Sequence, residues 1–518
     1  MADYTPIALK LAPGIVAADS AYAMKGRYVD GNNVRFYRGF PERIGGWSRL
    51  VQDKLDGPAR GAHVWSDLTG QKYMAWGTAN KLWLLKDTTL YDITPLGMPA
   101  GNVDAMPNTL VAGGWGTGGW GTGGWGGANE VLRSTVPPRQ WILGNWGQDL
   151  VAAYRGGPLY MWTVAGGPGT RAAQIGGQAP AVVSDFFVSE TNRYLVALGA
   201  TGGGIAGGGD PMTVAWCDRE NITVWTPTVT NTAGDKRLEI GTEIITSIDS
   251  RSGQLILTDA AAYIMRFIGP PYIWSITKAA EGHDPPVGQN AVISRDGIAY
   301  WIGYNAMTMF DGTIKQMDCD VRNVLYDNLD KVQAAKVYGG HIKRFGELVW
   351  LYPDLRDGTK ENSRYIAFNQ DGWSLGTMAR TSWIDENLLT NNPVATAPDG
   401  TIYQHEIQGV DADGAALPWL LETGEIELGD GGQFMRTRKL IPDYQRIRGS
   451  HTVTILDRRY PQEGADVRTP VTMTPGLGRL SVRSRDRSIR MRWESNTLDN
   501  DFRMGVYRAT VRGDGARG

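Results

Sequence analysis

Polar and apolar residues alternate from Val34 to Tyr37. Val34 and Phe36 fall on one face and Arg35 and Tyr37 on the other, between the turn formers Asp30-Gly31-Asn32 and Arg38-Gly39. This pattern predicts a strand closed by Gly45-Gly46-Trp47, two permissive backbones and one large ring that needs burial. From Gly61 the alternation recurs in units: a short strand, a tight polar turn, a second strand carrying an aromatic residue, then glycine or proline. His63-Val64-Trp65, Lys72 to Trp76, Lys81 to Leu85 and Leu90 to Ile93 predict one four-stranded blade. Comparable units begin near Asn145, Asn192, Ser252, Asp296, Gly346 and Asp399, about 45 to 60 residues apart except at one longer gap. Strands repeating at that interval predict an all-β fold with a β-propeller body of six or seven blades.

One segment has helical spacing. From Asp318 to Lys336, Val321, Val324, Leu325, Leu329 and Val332 recur three and four residues apart, with Asp318 or Asp320 available as a cap, so a short inserted helix is expected. Beyond Leu420 the blade rhythm stops while strand patterns continue. Three regions are therefore expected: residues 1–60 as an N-terminal arm and first strand, 61–419 as the propeller, and 420–518 as a β-rich domain with basic strands.

Between two blades, Gly113 to Gly127 repeats Gly-Gly-Trp-Gly-Thr and spaces Trp115, Trp120 and Trp125 five apart, a period belonging to neither helix nor strand. An irregular loop is expected there, its rings either packed on the propeller or anchoring a partner. With 68 Gly, 19 Trp and 21 Tyr in 518 residues, the composition suits short strands and tight turns.

The formal net charge is −2, but it is uneven: Arg436 to Gly518 holds 18 basic and 9 acidic side chains, which leaves the rest of the chain acidic. Arg483, Arg485 and Arg487 share one face of an alternating strand, with Ile489 and Met491 expected in the same register. These arginines are candidates for contact with a partner, and DNA binding is the competing reading. Cys217 and Cys319 fit no disulfide or zinc spacing and are expected to be inert. No run of apolar residues is long enough to span a membrane, and Met1 to Ser20 lacks a secretory pattern, so synthesis in a cytoplasm is expected.

The sequence holds no Gly-x-Ser-x-Gly, no phosphate loop and no His-Glu-x-x-His, and its five histidines are scattered. Asp411-Ala412-Asp413-Gly414 reads as a turn, because Ala415 and Ala416 stand where a calcium loop requires an oxygen ligand and a glycine. Ser294 to Trp301 approaches an aspartate box but has its glycine and ring misplaced. No catalytic residue, cofactor or metal is expected.

Pro13-Gly14, Gly31-Asn32-Asn33-Val34-Arg35-Phe36 and Pro41 to Trp47 resemble the opening of the tail nozzle, or packaged-DNA stabilisation, proteins of short-tailed bacteriophages. The resemblance continues in order through Val214 to Asp218 with Trp225-Thr226-Pro227, where Cys217 replaces the family's usual serine. It goes on through Ser252 to Leu257, Tyr263 to Phe267, Arg344 to Trp350, Tyr365 to Phe368 and Arg490 to Glu494. The resemblance implies a structural virion protein, assembled in the host cytoplasm into the tail as a homo-oligomeric ring, a hexamer. Such a ring continues the DNA channel below the portal and adaptor, meets tail fibres or spikes, retains the packaged genome and lets it out. The alternative is a propeller that binds or cleaves host glycans in receptor recognition.

Overall fold

The computed structural model describes residues 4–17, 23–107, 135–387, 389–428 and 432–515. The all-β expectation is met, and the described residues form seven four-stranded antiparallel blades plus a β domain.

Six of the seven blades follow chain order from the inside outwards. The inner strands are Ala62–Ser66, Trp141–Trp146, Asp185–Ser189, Ile244–Ser250, Val292–Arg295, Tyr338–Ile342 and Ser382–Ile384. Each packs beside the next, and the seventh returns to the first, which closes the ring. The outer strand of blade seven comes from far upstream: Gly46–Arg49 pairs antiparallel with Ile402–Ile407. Joining the ends of the ring through a strand distant in sequence makes closure a long-range contact, so this strand acts as a clasp.

Between blades the core consists of large apolar side chains from second and third strands. Trp76, Trp301 and Trp350 are fully buried. The Trp350 indole N–H donates to the Ala291 carbonyl at 3.0 Å and that of Trp301 to the Asp284 carbonyl at 2.9 Å, so burying these rings leaves neither N–H unpaired.

Three sheets build the β domain, and the chain's early strands are woven into all of them. Thr5–Ala8 pairs with Arg508–Gly513, Tyr28–Asn32 with Trp419–Thr423, and Val34–Tyr37 with Phe40–Arg43, which continues to Asp501–Met504. The largest apolar cluster runs from this domain, through Phe36, Trp419 and Trp493, into the blades at Trp350, Ile366 and Trp373.

The Asp318–Lys336 helix is shorter than its pattern suggests. An α-helix spans only Arg322–Tyr326, followed by a 3-10 turn at Ala334–Lys336. Neither aspartate caps it: Val321 holds that position without a side-chain hydrogen bond. Four residues beyond the helix, Asp330 accepts the Val332 and Gln333 N–H groups at 3.0 and 3.3 Å, a local alternative to a resumed helix. Asp413 and Gly414, with φ of 51° and 85°, form the expected turn.

Candidate functional site

The inner strands of all seven blades enclose a cavity of about 540 Å³ on the ring axis. Among the described residues, two carboxyl groups line it. Asp185, first residue of its strand, accepts from the Ser247 N–H at 2.7 Å, the Thr246 hydroxyl at 3.2 Å and the Phe186 N–H at 2.8 Å. Asp385 accepts from the His341 N–H at 2.7 Å. Each therefore ties its own blade to a neighbour, blade three to four and blade seven to six. Burial pushes both carboxyls up to about 6, against the N–H groups that favour the charged form. A carboxyl with that value holds its proton in mildly acidic solution and releases it near neutrality, the property required of a general acid or base.

All five imidazoles are held below their ordinary range by burial and are neutral at pH 7. His405, for example, accepts from the Arg380 Nε at 2.8 Å. The thiols of Cys217 and Cys319 are pushed up to about 12, again by burial, which makes them poor nucleophiles.

A second concentration of charge lies between the β domain and blades six and seven. The Arg35 guanidinium, 2 % exposed, forms two hydrogen bonds with Glu406, at 2.5 and 2.7 Å, and one ion pair with Glu347 at 2.8 Å. Phe345 lies 3.9 Å from it, ring centroid to guanidinium carbon. Burial disfavours the Arg35 charge, but Glu347 and Glu406 outweigh that and raise its pKa. Burial pushes Glu347 up to about 7 despite Arg35, and repulsion from the Glu406 carboxylate adds to the rise. Arg43 reaches Asp411 at 2.8 Å and Arg503 bonds Glu42. With its charges paired in this way, the seam serves as a fastening between the two bodies.

The third feature is a basic cleft of about 610 Å³ in the β domain, lined by Arg438, Lys439, Arg468, Arg479 and Arg483. In Leu480–Asp486, Ser481, Arg483 and Arg485 are exposed while Leu480, Val482, Ser484 and Asp486 point inward. Arg483 thus lines the cleft. Arg485 instead pairs with Asp514 at 2.5 Å, and Arg485 and Arg487 both lie over the Phe434 ring, at 4.9 and 5.5 Å. The expected continuation of this face to Ile489 and Met491 fails, because the chain leaves the strand at Arg487. Ser488–Ser495 pairs in a different sheet and both residues are fully buried. Trp115, Trp120 and Trp125 lie outside the described residues. Sequence reasoning missed Asp185, Asp385 and the Arg35 cluster, whose members come from different blades and carry no linear motif.

No protein-family model matches the chain, and no curated protein does. Among solved structures, the chain is similar in fold to the extracellular domain of a protein described as a one-component system of B. thetaiotaomicron. That match has 8 % identity and a TM-score of 0.42, and covers 94 % of this chain and 60 % of that one. It is also similar to a family 43 arabinoxylan arabinofuranohydrolase of Bacillus subtilis, with 12 % identity, coverage of 88 % and 97 %, and a TM-score of 0.26. An exo-β-1,3-galactanase of Phanerochaete chrysosporium matches with 10 % identity, coverage of 71 % and 95 %, and a TM-score of 0.25. At these values the likeness reaches the fold alone. The expectation that the chain is no enzyme is nevertheless corrected here. Two of these three solved structures are named as glycan-cleaving enzymes, a galactanase and an arabinofuranohydrolase, and the absence of a linear motif excludes no such chemistry, because it needs only two carboxyl groups placed across a bond.

Proposed function

We propose that this protein is a structural subunit of a bacteriophage tail, a ring-forming nozzle or hub that continues the DNA channel, retains packaged DNA and lets it leave. The observation that carries this reading is the order of the resembling segments, which runs from Pro13 through Trp47, Val214 to Pro227 and Arg344 to Phe368 to Arg490 onward. Those segments belong to both bodies, and the buried seam at Arg35 fastens the bodies to each other. A conduit component that transmits force needs that connection. The axial cavity of one propeller is of small-ligand size, so the channel of this reading runs between copies and not through one. An acidic or neutral wall would let a polyanion pass, where a basic groove would hold it by phosphate contacts. Negative-stain electron microscopy of the purified protein, alone and with portal and adaptor, tests the proposal. Sixfold rings with an open centre are expected; a monomer that joins no tail component would sink it.

A second reading, a propeller that binds or cleaves glycans, is favoured by Asp185 and Asp385 in the axial cavity. On that reading the protein hydrolyses oligosaccharides, and arabinoxylan and β-1,3-galactan fragments are the first substrates to try. Asp385→Asn is expected to lower the rate by about 10²-fold or more, the usual range for losing a general acid or base. No turnover by the wild type, or turnover indifferent to the substitution, would remove this reading.

A further inference from the structure

We propose that Asp457, Asp466 and Asp486 in the β domain bind one calcium ion. Asp457 lies in His451–Arg458 and faces Asp466 directly across the ladder. Like charges at opposed strand positions repel, and nothing in strand pairing itself requires an aspartate at either place. Asp486, the last residue of Leu480–Asp486, brings in a third carboxylate. One oxygen from each of the three lies within 4.8 Å of the others.

The buried members have oxygens to spare. Asp457 is fully buried and Asp486 is 8 % exposed. One Asp457 oxygen, Oδ2, accepts from Arg468 Nε at 2.7 Å and from the Ser484 hydroxyl at 2.9 Å. Its other oxygen, Oδ1, and Oδ1 of Asp486 are both buried without a hydrogen-bond partner among the described residues. A buried, unpaired carboxylate oxygen is costly, and two beside each other are more so. Arg468 pairs with Asp457 at 2.7 Å through the other oxygen and leaves the spare ones unpartnered. A cation in contact with the spare oxygens would relieve that cost.

The donor set selects the ion. All three ligands are carboxylates, with no histidine or cysteine among them, which suits a hard cation. Calcium accepts oxygens at about 2.4 Å in a flexible shell, whereas magnesium requires about 2.1 Å and strict octahedral order, which three carboxylates fixed on separate strands are poorly placed to supply. Asp466 is exposed, so water has access to complete the coordination. Bound there, calcium would tie the 451–467 hairpin to the end of the strand that carries Arg483 and Arg485.

Isothermal titration of the chelator-stripped full chain with calcium chloride tests the site. One ion per chain is expected, with magnesium chloride binding at least tenfold more weakly. Asp486→Asn is expected to abolish the binding. Asp466→Asn, an exposed change that leaves the buried pair intact, is expected to weaken it by tenfold or more without altering the circular dichroism spectrum. Absence of calcium binding by the wild type, or binding unchanged in Asp466→Asn, would overturn the assignment.

Discussion

Arg35→Ala is expected to lower stability by about 3–5 kcal/mol, the range for removing one partner of a buried ion pair. The guanidinium is the shared counter-charge of Glu347 and Glu406, which are themselves buried. Without it, two buried carboxylates are left without their shared counter-charge. The loss should appear as a lower urea midpoint, or as a separate early transition in which the β domain detaches from blades six and seven. An unchanged midpoint with a single transition would show that the seam is not the fastening described above.

The same cluster sets a pH dependence. The folded pKa of Glu347 is raised from an ordinary 4.5 to about 7, so folding favours its protonated form. Its contribution to stability is therefore present in full below about 4.5 and is lost as the pH rises through about 7. Glu347→Gln keeps the uncharged state at every pH and leaves Arg35 paired with Glu406. The variant should thus lose less stability than the wild type between pH 5 and pH 8, as thermal melts at both values would show.

Gly46→Ala is expected to open the propeller. A Cβ at this position would run into the backbone carbonyl oxygens of Val410 and Asp411, and neither can move aside as a flexible side chain would. Overpacking of this kind ordinarily costs about 1–3 kcal/mol, and a backbone obstacle puts the cost at the upper end. The strand affected, Gly46–Arg49, closes the seventh blade. Hydrogen exchange should lose protection at 46–49 and 402–407 before the other blades. Gly144→Ala, whose new Cβ would make only ordinary contact with Phe186, is the control and should leave exchange unaltered. Equal protection in both variants would mean that ring closure does not depend on this strand.

Much of the blade structure is legible without coordinates, and the reason lies in second and third strands. Tyr194–Leu198 and Thr213–Trp216 are bounded by turns and apolar enough to be found one by one. Inner strands such as Ile244–Ser250 are harder to see. One side of each borders the polar axial cavity, so Thr246 and Ser247 dilute the apolar signal. Several repeats accordingly read as if they began at the second strand. The helix is shorter than its spacing implies for a related reason: Val321, Leu325 and Leu329 are all buried, but beyond Tyr326 side chains such as Asp330 bond the backbone locally, and spacing alone cannot weigh that competition.

By itself, the sequence determined the all-β class, the propeller repeat and the alternation at Val34 to Tyr37, because strand periodicity and turn chemistry are local properties. Only the tertiary structure decided what each face of that strand meets. Val34 and Phe36 enter an apolar core, as a half-buried strand would predict. Arg35, on the face that reads as solvent, is enclosed by Glu347 and Glu406 from positions more than 300 residues downstream. The same is true of Asp185 and Asp385 around the axis, of Asp457, Asp466 and Asp486 in the β domain, and of the clasp at Gly46–Arg49. In each case the partners are brought together by ring closure or sheet pairing, and the alternation of polar and apolar residues along one strand carries no record of which distant strand will cover it.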